Sequence, residues 1–162
     1  LPELPEVETV RRGLNQVTLN RTIQGGSVLL PRTIAHPVFV NAFLAGLKGA
    51  EIAQWHRRGK YLLASLTRTS MIKNFPPAIE GSTLPLVDGG WLGVHLRMTG
   101  QLLWLTQDQP LQKHTRVRLW FEQGQELRFV DQRTFGQMWW VPPGIAPATI
   151  IPGLKKPRAG TI

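Results

Sequence analysis

The sequence contains no cysteine. That excludes disulfide bridges and any thiolate metal site, and it fits a reducing compartment. No apolar run is long enough to span a bilayer. The opening Leu1-Pro2-Glu3-Leu4-Pro5-Glu6 is acidic and proline-rich, unlike a signal or transit peptide, so the expected location is the cytoplasm. Acidic residues are scarce as well. Ten Asp+Glu stand against 19 Lys+Arg, giving a formal net charge of +9 and a pI near 11.1. Such an excess favours a polyanionic partner, nucleic acid first and an anionic membrane surface second. The four histidines, His36, His56, His95 and His114, are scattered without zinc-like spacing.

What is present is ordinary globular composition. A chain of 162 residues with 42% hydrophobic side chains fits one domain that can bury its own core. Pro5 suits the first turn of a helix, where its missing N–H would have no partner anyway. Leu4, Val7, Val10 and Leu14 then recur at helical spacing, and Gly13 and Asn15 are expected to end the helix. A second helix is expected across Pro37–Leu47, with Val38, Ala42, Ala45 and either Leu44 or Phe43 facing inward. Most of the remainder reads as strands: Glu51–Arg57 and Lys60–Thr67 around an Arg58-Gly59 turn, then Gly93–Leu105, Arg116–Glu122, Glu126–Val130 and Gly136–Val141. Arg68–Gly90 is polar and aperiodic, the pattern of a long surface loop. Together these elements predict an α+β fold, a two-layer antiparallel β-sandwich flanked by an N-terminal helix and a second short helix. Residues 2–141 form the expected domain, and the proline-rich 142–162 an expected linker or divergent tail.

Several motifs follow one another in a specific order. Pro2-Glu3-Leu4-Pro5-Glu6-Val7-Glu8-Thr9-Val10-Arg11-Arg12-Gly13 opens the chain. Arg58-Gly59-Lys60-Tyr61-Leu62, His95-Leu96-Arg97-Met98-Thr99-Gly100, Lys113-His114 and Asp131-Gln132-Arg133-Thr134-Phe135-Gly136 come after it. In this order they resemble the formamidopyrimidine-DNA glycosylase family over roughly residues 2–141. The resemblance implies a DNA-repair glycosylase and lyase that excises oxidised purines such as 8-oxoguanine and formamidopyrimidines from damaged double-stranded DNA. It would act as a monomer, through a Schiff base on an N-terminal proline followed by β-elimination. Pro2 would be the nucleophile, Glu3 a general acid/base, Glu6 an orienting carboxylate, and Lys60 the lysine at the phosphates near the lesion. His114 and Arg133 would contact DNA, while Met98 and Phe135 would fill the gap left by an everted base. His36, His56, His95 and the six tryptophans are read as structural.

The assigned chemistry is physically coherent. An α-amino group has a pKa near ~7.7–8, against ~10.4 for lysine, so it is partly unprotonated at neutral pH without burial. Attack on a sugar C1′ by such an amine gives an iminium ion. The role requires a free amine, so Pro2 can fill it only where Leu1 has been removed. Complete members of the family are longer and continue into a helix–two-turn–helix region and usually a four-cysteine zinc finger. The resemblance therefore implies a chain cut short after Gly153-Leu154-Lys155, with no cofactor of its own. Two other outcomes go with it: a remnant that only binds DNA weakly, and a glycosylase for oxidised pyrimidines of the endonuclease VIII type.

Overall fold

The computed structural model describes residues 4–69 and 85–155. Helix α1 (Leu4–Val17) opens the fold, and its Val7 and Leu14 are buried. It runs past Gly13 and Asn15, where the sequence pattern ends it. A mid-helix glycine costs about 1 kcal/mol, whereas burying a Val or Leu side chain contributes about 1.5–3 kcal/mol. Packing therefore outweighs propensity. Asn15 also has a task inside the helix: its Nδ2 donates to the Trp55 carbonyl at 3.1 Å, and its Oδ1 accepts from the Trp55 N–H at 2.8 Å.

Two sheets follow. The first has the order β1 (Ile23–Val28), β7 (Thr115–Phe121), β8 (Gln125–Asp131), β6 (Gly100–Thr106), and every neighbouring pair is antiparallel. The second has the order β2 (Ile34–His36), β9 (Gln137–Val141), β5 (Leu86–His95), β4 (Tyr61–Thr69), β3 (Glu51–Arg58). It is antiparallel except for the β2–β9 pair, which is parallel. One apolar core joins them, with Leu62, Ala64, Leu92, Val94 and Met138 from one sheet and Val117, Leu119, Phe121, Leu127 and Phe129 from the other. The α+β sandwich expected from the sequence is thus the fold observed, with one parallel pair in its second sheet.

The short helix α2 (Val40–Leu47) starts three residues later than the pattern suggests. Phe43, Gly46 and Leu47 are its buried residues, while Val38, Ala42 and Ala45 are exposed. Arg68, assigned by composition to a loop, lies in β4 and donates to the carbonyls of Lys48 and Gly46 at the end of this helix. Leu86–Gly90 likewise belongs to β5, and the rest of that stretch, residues 70–84, lies outside the described residues. The run Gly93–Leu105 is broken into two strands by a turn at residues 96–99. After β9 the chain makes a helical turn, α3 (Pro147–Ile150), and then a 3-10 turn, Pro152–Leu154. Ile151 and Leu154 are buried in a second apolar cluster with Leu63, Trp139 and Val141. Adjacent Trp139 and Trp140 serve opposite faces of the sheet, since Trp139 joins this cluster and Trp140 packs on the main core.

Candidate nucleic-acid interface

Three connections converge at one end of the sandwich. The β3–β4 turn consists of Gly59 and Lys60; Gly59 has φ +58°, and Lys60 is exposed. The turn is tied to the first helix. Glu8 pairs with Arg11, Arg12 and Arg57, and Arg57 Nη1 donates to the Gly59 carbonyl at 3.1 Å. The hydrogen bond from Arg11, reinforced by those from Arg12 and Arg57, holds the Glu8 carboxyl far below the usual range despite some desolvation.

The β5–β6 turn carries Leu96–Thr99. Arg97 adopts φ +56°, and its N–H donates to His95 Nδ1 at 3.0 Å. The turn closes with Gly100 N–H on the Leu96 carbonyl at 2.9 Å, and a β-carbon at Gly100 would lie 2.9 Å from the Leu96 Cα. Met98 sits at the tip and is 37% exposed.

The β8–β9 connection is organised by a buried carboxylate. Asp131 Oδ1 accepts from the Thr99 hydroxyl at 2.5 Å and from the Arg133 N–H at 3.3 Å, while Oδ2 accepts from the Gly136 N–H at 2.7 Å. Asp131 therefore shapes the loop rather than neutralising the Arg133 side chain, which is exposed. Thr134 has φ +61°, and its hydroxyl accepts from Arg32 Nη2 at 3.0 Å. Phe135 is 53% exposed. An exposed phenylalanine held on a strained loop is the kind of feature that accompanies a binding surface.

Lys60, Met98 and Phe135 line a single open cavity of about 740 Å³, together with Arg32, His95, Arg97 and Thr134. Among the described residues no acidic side chain lines it. A second groove of about 420 Å³ meets it at Met98 and includes the exposed Glu6 of α1. His114 lies just before β7, and its carbonyl accepts from the Asp131 N–H at 3.0 Å, which joins it to the Arg133 loop. Five of the eight residues singled out in the sequence thus sit on adjoining connections, and Glu6 lines the neighbouring groove from α1. Pro2 and Glu3 lie outside the described residues.

The sequence pattern overlooked Arg32, His95 and Arg97. His95 stood inside the His95–Gly100 motif but alternates outward along a strand, so it carried no signal of its own. It is half-buried, edge-on to Tyr61 with ring centroids 4.4 Å apart. Burial, with the charges of Arg97 and Lys60, lowers its pKa from 6.5 to about 4. The ring is therefore neutral near pH 7, with Nδ1 as the acceptor for the Arg97 N–H. Between these two values the unfolded chain binds a proton that folded His95 refuses. Stability is thus at its full value above pH 6.5 and declines as the pH falls toward 4. In denaturant melts across this range, His95→Gln is expected to show a shallower decline, and parallel curves would refute the assignment.

A zinc finger of the kind implied by the resemblance has no cysteine ligands in this sequence. Among the described residues no three His, Asp or Glu side chains cluster as metal ligands.

Architecture and site together define a β-sandwich that presents a cationic, apolar-lipped cavity at one end. A sequence profile of the formamidopyrimidine-DNA glycosylase N-terminal domain matches residues 1–138. The formamidopyrimidine-DNA glycosylase of a Nostoc species is 65% identical over 156 residues, covering 96% of this chain and 50% of the relative. That of a Synechococcus species is 55% identical, with 96% and 49% covered. Among solved structures, the Lactococcus lactis enzyme in complex with FAPY-dG DNA superposes with a TM-score of 0.68 at 29% identity, over 86% of this chain and 44% of that one. MutM bound to carbocyclic 8-oxo-G DNA gives 0.69 at 29% identity, over 87% and 45%. The chain belongs to the formamidopyrimidine-DNA glycosylase family and spans about half the length of the relatives it matches.

Proposed function

We propose that this chain carries the catalytic half of a DNA glycosylase and AP lyase that removes oxidised purines. The observation that carries this reading is the meeting of Lys60, Met98 and Phe135 on one cation-lined cavity, beside the groove that contains Glu6. DNA phosphates would lie against Lys60, Arg32 and Arg97, with counterion release supplying much of the affinity. Everting a nucleotide costs a few kcal/mol, and the half-exposed Phe135 and Met98 are placed to fill the vacated stack with Arg133 beside them.

With Leu1 removed, the secondary amine of Pro2 attacks C1′ as the bond from C1′ to the base breaks. Glu3 supplies a proton to the sugar or to the departing base. The resulting iminium ion permits loss of the 3′ phosphate by β-elimination, with Lys60 close to the phosphates. Glu6 faces the groove from the first turn of α1, where it can orient the sugar or the amine. Relatives bound to FAPY-dG and to carbocyclic 8-oxo-G DNA support a purine substrate, and a Lactococcus lactis complex with oxidised-pyrimidine DNA makes the pyrimidine lesion the control that the test needs.

Borohydride trapping on a duplex containing 8-oxoguanine tests this directly. A covalent adduct is expected from chain whose intact mass shows loss of Leu1, and it should vanish in Pro2→Gly. Binding without an adduct would reduce the chain to a DNA-binding remnant, while preference for an oxidised pyrimidine would move it to the endonuclease VIII type. Affinity should also fall steeply between about 50 and 200 mM salt, and less steeply for Lys60→Ala.

A further inference from the structure

On the outer face of the β7–β8 ladder, away from the core, a charged cluster is built around a fully buried pair. Glu126 and Arg128 are both 0% exposed and are paired through Arg128 Nε. Glu126 also accepts from Arg118 Nε at 3.0 Å and from Trp120 Nε1 at 2.7 Å. The other donors of Arg128 point into the connection between β6 and β7. Nη2 reaches the Gln109 carbonyl at 2.7 Å, and Nη1 reaches the Pro110 carbonyl at 3.0 Å and Gln112 Oε1 at 3.3 Å. Arg118 Nη2 adds the Gln107 carbonyl at 3.3 Å. Residues 107–112 therefore lie over the cluster with the carbonyls of Gln107, Gln109 and Pro110 and the side-chain amide of Gln112 turned inward. The next two residues are Lys113, exposed, and His114, which is bound through its backbone to Asp131.

A buried ion pair is seldom more stabilising than an apolar pair of the same volume, so stability alone does not account for this cluster. What it supplies, and an apolar pair does not, is a rigid fan of donors that fixes the loop carbonyls in direction as well as distance. We propose that Glu126 and Arg128 are positioning residues. They hold the 107–112 segment so that the Lys113-His114 corner meets the DNA backbone beside the Arg133 loop. This rests on the reading that His114 contacts DNA.

The test uses Glu126→Leu/Arg128→Met, which replaces the pair by apolar side chains, and Arg128→Lys, which keeps the charge but loses the fork. The latter remains informative if the double variant does not fold. In the free protein, the hydrogen-bonded amides of Gln109 and Thr115 should exchange about tenfold faster or more, while those of Leu119 and Phe129 stay protected. On a duplex with an abasic-site analogue, affinity should drop about tenfold. His114→Ala should cost much less on the altered background than on the parent chain. Unchanged exchange at Gln109 and Thr115 overturns the proposal, and so does a His114→Ala effect of equal size on both backgrounds. Should His114→Ala leave the parent's affinity intact, the DNA role of His114 falls instead, and loop exchange alone decides whether the cluster holds the segment.

Discussion

Replacing Glu126 by leucine alone should destabilise the chain by about 3–5 kcal/mol, more than replacing Glu126 and Arg128 together. The single change leaves a guanidinium at 0% exposure with no carboxylate beside it, and deprives Arg118 and Trp120 of their shared acceptor. Few alternatives are open to Arg128, because arginine does not shed its proton in a protein. Its side chain must either drag the 107–112 segment open to reach water or remain buried with carbonyl partners only. The double change removes both charges and most of the desolvation penalty. Urea melts of the two variants settle the order, and a single variant as stable as the double would contradict it.

Asp131→Ala is the second large effect, at about 2–4 kcal/mol. Loss of the carboxylate strands the Gly136 N–H in a buried position, removes the acceptor for the Thr99 hydroxyl and leaves the Arg133 N–H with Thr99 Oγ1 alone, and a buried donor without a partner costs about 1–3 kcal/mol. The Arg133–Phe135 loop would lose its fixed shape at the same time, so DNA affinity should fall further than stability alone requires. Asp131→Asn should cost less. Its amide can keep the carbonyl on Gly136 while the Thr99 hydroxyl reverses to accept. Thermal melts run beside DNA titrations separate the two consequences, and an Asp131→Ala protein with a parent-like melting curve would rule out the anchoring role.

Much of the fold could be read from the sequence where a strand or helix carries its own period. β7 alternates without a break, with Thr115, Val117, Leu119 and Phe121 buried. The β3–β4 hairpin follows from its glycine turn, displaced by one residue so that Lys60 stands in the turn itself. β1 was invisible because Ile23–Val28 contains two glycines and little apolar pattern; it exists through backbone pairing with β7, which no local period records. β2 is three residues long and equally dependent on its neighbour β9. The break at 96–99 was hidden for a different reason. The alternation of Val94, Leu96 and Met98 continues in register across a turn made by a non-glycine residue at positive φ, which periodicity cannot register.

The candidate site was legible as motifs in order, not as geometry. Lys60, Met98 and Phe135 stand 75 positions apart from first to last, and only the antiparallel pairing of β4 with β5, and of β5 with β9, brings their connections to one end of the sheet. The organising part of Asp131 could not be inferred from its sequence neighbour Arg133, because its partners are backbone N–H groups and a threonine from another turn. Arg32 was missed because it reaches the cavity through Thr134, 102 positions away.

The seating of residues 152–155 has a practical consequence. Arg58 Nη2 donates to the Leu154 carbonyl at 3.1 Å, and Gly153 packs so closely on Tyr61 that a side chain there would collide with the phenol. Lys155 consequently shares a cleft wall with Lys60 and His95. Because the protein has no thiol of its own, Lys155→Cys would create a unique attachment point at the rim of the cavity. A fluorophore placed there would report occupancy of the cavity without labelling any other position.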